Sequence, residues 1–166
     1  MLAALEWGTF DQLEAVKDDT TLHDHAILVG YGRVGGSIGE ALARSRVAHV
    51  VIEQSRELFE SLRDRGVPAI YGNATRRLVL ELARPERARL IIVTAPDPFQ
   101  ARAVVEQARR LNPSIASVVR THSEEEKAYL ERAGVDMAVM GERELARTMA
   151  RFALEVFDPG PATQAS

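Results

Sequence analysis

Cysteine is absent from the 166 residues, which excludes disulfide bonds, thiolate nucleophiles and cysteine-ligated zinc. No apolar run reaches the roughly 18 residues that a membrane-spanning helix needs. An excess of one charge is also missing, because 21 basic and 24 acidic residues give a net charge of -3. Such a balance provides no general attraction to nucleic acid or to an anionic membrane. The composition, 46% hydrophobic and 27% charged, predicts one soluble folded domain without a nucleic-acid partner.

Short apolar runs alternate with helical stretches about every twenty residues. Near-continuous Val, Ile and Leu runs are typical of strands covered on both faces, as in a parallel sheet built from right-handed βαβ units. The sequence therefore predicts an α/β fold with a doubly wound parallel sheet. The predicted strands are Ala26–Val29, Ala48–Ile52, Pro68–Tyr71, Leu90–Thr94, Ser117–Arg120 and Met137–Met140.

Capping residues mark the predicted helices. Ser55, Asp97 and Ser123 stand at the expected N-caps, and Glu126 completes a capping box with Ser123. An extra amphipathic helix from about Glu142 to Phe157 follows the sixth strand, with apolar residues over four turns. We expect a domain over residues 25–157, a linker or short helix over 1–24 and a disordered tail over 158–166.

A glycine-rich motif follows the first strand. Gly30, Gly32 and Gly35 form a GxGxxG pattern between a strand and a helix, which is the context that dinucleotide binding requires. Gly30 allows the tight turn, Gly32 the approach of a pyrophosphate, and Gly35 the close packing of helix on strand. The helix N-terminus offers unpaired N–H groups to phosphate. The alternative is a tight turn in a sheet that binds nothing.

An acidic residue ends the second strand. Glu53 lies 18 residues after Gly35, close to the position at which a carboxylate accepts the ribose hydroxyls of a dinucleotide. A carboxylate there repels a 2'-phosphate, so the sequence favours NAD, AMP or ATP over NADP.

Ligands of open α/β sheets bind beyond the carboxyl ends of the strands, so residues that follow the other strands are further candidates. Asn73 is suited to an adenine edge, whereas Thr75 is expected mainly to cap the next helix. Arg33 and Arg120 either contact phosphate or pair with an acid such as Glu53 or Asp97.

The four histidines lack metal-ligand spacing, so no metal site is predicted.

The segments HAILVGYGRVGG, VVIE and YGNAT, together with Arg120, resemble the regulator-of-potassium-conductance (TrkA-N) domains, also called potassium-transport nucleotide-binding domains. The likeness spans residues 25–155 and is strongest to the cytoplasmic C-terminal domain of Kef-type cation:proton antiporters. It implies a Rossmann fold with strand order 3-2-1-4-5-6 that binds NAD(H), AMP or ATP. Many members have Asp at the position of Asn73. The predicted binding residues are Gly30, Tyr31, Gly32, Arg33, Val34, Gly35, Glu53, Gln54, Asn73, Ala74, Thr94, Ala95 and Arg120.

The resemblance implies a sensor that gates a membrane ion-transport domain, attached or associated at the cytoplasmic face of the membrane. It also implies a homodimer that uses the last helix, the alternative being that this helix folds back on its own sheet. A small NAD-dependent oxidoreductase is one alternative, but strands spaced by about twenty residues leave no insertion to hold a substrate against the nicotinamide. An interaction module with a vestigial nucleotide site is the other. We expect no enzymatic activity.

Overall fold

A computed structural model describes residues 22–157. The predicted tail, 158–166, and most of the predicted linker, residues 1–21, lie outside the described residues. The chain alternates strand and helix from its first strand onward. The strands are β1 (His25–Val29), β2 (His49–Glu53), β3 (Ala69–Tyr71), β4 (Ala88–Val93), β5 (Ala116–Thr121) and β6 (Met137–Met140). The helices are α1 (Arg33–Arg44), α2 (Arg56–Asp64), α3 (Arg77–Leu82), α4 (Pro98–Leu111), α5 (Glu124–Arg132) and α6 (Gly141–Phe157), with a 3-10 turn at Pro85–Arg87.

The six strands form one parallel sheet in the order β3-β2-β1-β4-β5-β6. The predicted Rossmann topology and strand order are confirmed. The order reverses between β1 and β4, so the loops after these two strands diverge and leave a crevice at the carboxyl edge of the sheet.

Side chains at the N-caps fix the starts of three helices. The Ser55 hydroxyl accepts a hydrogen bond from the Leu58 N–H at 3.4 Å, and the Asp97 carboxylate accepts bonds from the first turn of α4. Ser123 accepts the Glu126 N–H at 3.1 Å. The return bond of the predicted capping box differs, because Glu126 accepts the N–H of His122 rather than that of Ser123.

Two apolar layers cover the sheet. One layer joins α3, α4 and α5 to residues such as Ile27, Ile91 and Val119. The other joins α1 and α2 to Leu28, Val51 and the rest of the second cluster. Because α1 packs on β1 and β2, and α2 on β2 and β3, this second layer lies over the first half of the sheet.

The last helix, α6, contains no buried residue. Arg143 in its first turn pairs with Glu124 of α5. Beyond that turn the helix presents large apolar side chains that are 61% to 86% exposed: Leu145, Met149, Phe152, Leu154, Val156 and Phe157. The predicted extra C-terminal helix is confirmed, and its apolar residues have no cover within the described part of the chain.

No helix of the described residues is long and apolar enough to span a bilayer.

Candidate functional site

A cavity of about 300 Å³ opens at the carboxyl ends of the strands. All thirteen sequence-predicted binding residues line it. Several other residues that line the cavity were not predicted, and they come from helices α2 and α4 and from strand ends. Their positions depend on how the helices pack, so no local signal marked them. They include Leu58, Gln100, Ala101 and Val104.

The glycine turn after β1 is held by contacts to both neighbouring strands. Gly30 has φ +90° and donates its N–H to the Ile52 carbonyl at 3.0 Å. The Thr94 hydroxyl lies 3.1 Å from the carbonyl oxygens of both Val29 and Gly30, where it donates a hydrogen bond. Thr94, predicted as a binding residue, therefore also ties the turn to β4.

The glycines of the motif differ in what a side chain would meet. A Cβ at Gly35 would lie 2.1 Å from the Gly30 carbonyl oxygen, so α1 approaches the turn too closely for any other residue. A Cβ at Gly32 would meet no heavy atom within 4 Å. Gly32 therefore faces open space in the cavity, at the N-cap of α1, where a ligand group can approach the backbone.

Tyr31 contributes its backbone to the site rather than its ring. The ring is buried against α1, where a Cβ at Gly39 would lie 2.6 Å from it. The Tyr31 N–H donates to the Glu53 carboxylate at 2.6 Å. Tyr31 lines the cavity, and the prediction that it binds a ligand stays a prediction.

The Glu53 carboxylate is only 6% exposed and accepts one backbone hydrogen bond at each oxygen. Oε2 accepts from Tyr31 N, and Oε1 accepts from Ser55 N at 2.8 Å. Within residues 22–157 no cation pairs with it. Each carboxylate oxygen keeps a further acceptor site. The side chain is therefore a buried anion fixed before any ligand arrives, with free capacity for hydrogen-bond donors.

The loop after β3 is braced by side chains. Asn73 Oδ1 accepts from the Thr75 N–H at 2.9 Å and from the Thr75 hydroxyl at 2.8 Å. Gln107 of α4 donates its amide to the Thr75 carbonyl at 2.7 Å. The expectation that Thr75 caps the next helix is wrong: Arg76 occupies the N-cap of α3, and the Thr75 hydroxyl is used by Asn73 instead.

Two arginines line the cavity, and neither guanidinium group forms an ion pair or a hydrogen bond within residues 22–157. Arg33 is exposed in the first turn of α1, and Arg120 is half-buried near the end of β5. Neither pairs with Glu53 or with Asp97, which caps α4, so the alternative of a surface ion pair to these acids is wrong. Arg33 therefore adds positive charge at the N-terminus of α1, and Arg120 adds it at the β5 side of the cavity.

No group of three or more His, Asp or Glu side chains within residues 22–157 is placed to hold a metal ion. His25 is buried at the start of β1, whereas the cavity lies at the other end of that strand. Its Nε2 donates to the Ala83 carbonyl at 2.7 Å.

Comparison with known protein families identifies the family of this chain. The family model of the TrkA-N domain matches residues 26–141. The chain belongs to the TrkA-N family. The matched range contains every residue predicted to bind a ligand, and the resemblance found in the sequence is confirmed.

Relatives of this TrkA-N chain include much longer proteins. It is 45% identical over 139 residues to the putative cation/proton antiporter YbaL of Escherichia coli K12, covering 84% of this chain and 24% of that protein. It is 29% identical over 161 residues to the glutathione-regulated potassium-efflux system protein KefC of Escherichia fergusonii, covering 97% and 26%. The chain thus spans about a quarter of the length of these relatives.

Solved structures share the fold. The TrkA-N domain of the inner membrane protein YbaL from Escherichia coli matches with a TM-score of 0.75 at 45% identity, over 78% of this chain and 96% of that one. The C-terminal domain of Shewanella denitrificans Kef in its AMP-bound form matches with a TM-score of 0.70 at 24% identity, over 81% of each chain. The second likeness shows the fold alone.

Proposed function

We propose that this TrkA-N domain senses an adenine nucleotide with a free 2'-hydroxyl, NAD(H), AMP or ATP, and gates a potassium or cation:proton transport protein. The transport domain is attached or associated at the cytoplasmic face of the membrane. The observation that carries the proposal is the buried Glu53 carboxylate, fixed by two backbone N–H groups beside the open backbone of Gly32.

Glu53 suits ribose because it offers acceptors only. The cis hydroxyls of a ribose supply two donors, one for the remaining acceptor site on each oxygen. Hydrogen bonds to a charged group are stronger than neutral ones, about 1.5–3 kcal/mol each. A 2'-phosphate would instead bring negative charge against a buried carboxylate that pairs with no cation in the described part of the chain. This arrangement favours NAD over NADP.

The phosphate side of the cavity is favourable to anions. Helix α1 has no acidic residue in its first turn, and the N–H groups of that turn have no intrahelical acceptor. Arg33 and Arg120, whose guanidinium groups have no ion-pair partner among residues 22–157, add positive charge to the cavity. A nucleotide therefore fits with its phosphate at α1 and its ribose at Glu53.

The relatives support the regulatory part of the proposal. YbaL is named a putative cation/proton antiporter and KefC a potassium-efflux system protein, and the chain matches about a quarter of each. The matched Kef domain was solved with AMP bound. A nucleotide site in such a domain can gate a transporter when the nucleotide-bound and nucleotide-free forms favour different conformations of the attached transport domain.

Calorimetric titration tests the binding step. Wild-type chain should bind AMP or NAD and bind NADP more weakly, and Glu53→Ala should weaken AMP or NAD binding by about 10- to 150-fold, the equivalent of 1.5–3 kcal/mol. Glu57→Ala is the matched control, because Glu57 is an exposed acid in the first turn of α2 and does not line the cavity. Equal affinity for NAD and NADP, or an unchanged Glu53→Ala variant, contradicts the ribose assignment.

We further propose that the gate works as a homodimer joined through α6. Val118 on β5, with Met137 and Val139 on β6, lies on the same side of the sheet as α1 and α2. On this side Met137 is 60% exposed, and Val118 and Val139 are only partly buried. The exposed stripe of α6 begins directly after β6. A second copy placing its α6 over this open sheet face (Val118, Met137 and Val139) covers both apolar surfaces at once.

Light scattering tests the dimer. Wild type should be dimeric at tens of micromolar, and the double variant Leu145→Asp/Phe152→Asp should be monomeric. Arg147→Asp/Arg151→Asp adds the same two acids on another side of α6 and should remain dimeric. A monomeric wild type, or a dimeric Leu145→Asp/Phe152→Asp variant, rejects this helix as the interface.

A further inference from the structure

The amide of Asn73 has an orientation that its neighbours dictate. A backbone N–H can only donate, so the Asn73 atom 2.9 Å from Thr75 N must be the carbonyl oxygen. The Thr75 hydroxyl takes a second position on the same oxygen, at 2.8 Å. A carbonyl oxygen has two lone pairs, and both are occupied here.

The other end of the same amide is unused. Asn73 Nδ2 has no hydrogen-bond partner among residues 22–157, and Asn73 lines the cavity. Gln107 holds the Thr75 carbonyl from α4, which keeps the loop in the geometry that occupies Oδ1. Asn73 therefore presents N–H donors to the cavity and no acceptor.

The topology indicates which part of a nucleotide meets these donors. Phosphate-binding groups follow β1, Glu53 ends β2, and Asn73 lies two residues past β3, with Glu53 paired to Tyr71 across the two strands. The strands lie side by side in the order β1, β2, β3, so phosphate, ribose and base are expected in that order. The base is therefore the group that reaches Asn73.

We propose that Asn73 is a specificity-determining residue whose Nδ2 donates a hydrogen bond to a ring nitrogen of the adenine base. This inference rests on the proposed function. An aspartate at position 73 would keep an acceptor for Thr75 but would replace the donors with a second acceptor. That acceptor would repel the lone pair of a ring nitrogen and suit the exocyclic 6-amino group instead. Asn73 thus donates a hydrogen bond to an acceptor on the base, whereas an aspartate would accept a hydrogen bond from a donor on the base.

Nucleotide analogues test this directly by calorimetry. The 1-deaza, 3-deaza and 7-deaza analogues of AMP each replace one ring nitrogen by C–H. Wild type should bind one of the three about 3- to 10-fold more weakly than AMP, the loss of one neutral hydrogen bond. That deficit should disappear in Asn73→Ala. Asn73→Asp, which retains the acceptor for Thr75 but has no N–H to donate to a ring nitrogen, should lose the same deficit.

A ribose control separates this inference from the proposed function. The 2'-deoxy analogue of AMP should bind more weakly to wild type and to Asn73→Ala alike, because its deficit belongs to Glu53. If wild type binds AMP and all three deaza analogues with equal affinity, or if Asn73→Asp keeps the deficit for a deaza analogue, the role of Asn73 alone is overturned. Failure of both AMP and NAD to bind wild type overturns the proposed nucleotide site and this inference together.

Discussion

Two glycines of the turn should respond to the same substitution in opposite ways. In Gly35→Ala, the new Cβ would lie 2.1 Å from the Gly30 carbonyl oxygen, whereas ordinary contacts lie at 3.4–4 Å. The obstructing atoms belong to the backbone, so β1 and α1 must move apart by more than 1 Å. Forcing extra volume into a packed site costs about 1–3 kcal/mol, which lowers Tm by roughly 3 to 10 °C in a chain of this size.

Gly32→Ala meets no such obstacle. Gly32 has φ -69°, an angle that alanine adopts without strain, and nothing lies within 4 Å of the new Cβ. Its Tm should stay close to that of wild type, because the gain of about 0.4–1 kcal/mol from Gly→Ala at a compatible position is opposed by the lower preference of alanine for the N-cap of α1. The methyl group occupies the space through which a phosphate approaches the turn, so nucleotide affinity should fall at least tenfold.

Thermal melts and nucleotide titrations of both variants measure the two effects separately. The expected result is a stable Gly32→Ala protein that binds poorly and a destabilised Gly35→Ala protein. A Gly35→Ala variant as stable as wild type refutes the close approach of α1 to the turn. Normal nucleotide binding by Gly32→Ala refutes the assignment of the turn to phosphate.

Two further predictions concern chemistry and pH. The purified chain should bind NADH without sustained oxidation at 340 nm when offered small carbonyl compounds, and turnover that a Glu53→Ala change abolishes would favour the oxidoreductase alternative. Burial lowers the pKa of His25 below its ordinary value of 6.5, an effect only partly offset by the bond to the Ala83 carbonyl and by the charges of Glu86 and Asp24. The unfolded chain therefore binds more protons than the folded chain below about pH 6.5, so stability should fall as the pH drops through this range. Denaturant unfolding from pH 7.5 to 5 should show a smaller loss for His25→Gln, and equal slopes for the two proteins would exclude His25 as the cause.

Much of the fold could be predicted because its determinants are local. The apolar runs between capping and glycine signals gave all six strands, with β6 at the bounds predicted, Met137–Met140. β4 begins at Ala88, two residues earlier than predicted, because exposed Arg89 interrupts the apolar pattern although its backbone is part of the strand. The open position of α6 could not be read from periodicity, since an apolar stripe looks the same whether its cover comes from its own sheet or from another chain.

The residues of the candidate site could be predicted where their place at the end of a strand indicates their role. The glycine motif and Glu53 are marked by their places after β1 and at the end of β2. The inward packing of the Tyr31 ring was not predicted, because it depends on Gly36 and Gly39 leaving room on α1. The role of Thr75 was also misread, since a threonine before a helix is a common cap and the competing bond to Asn73 forms only in the folded loop.

A crystal structure of the chain grown with AMP tests the central claim most directly. We expect ribose hydroxyls within hydrogen-bond distance of both Glu53 carboxylate oxygens, the phosphate against Gly32 at the N-terminus of α1, and the base at Asn73. A nucleotide bound elsewhere, or bound in this cavity with its ribose turned away from Glu53, would contradict it.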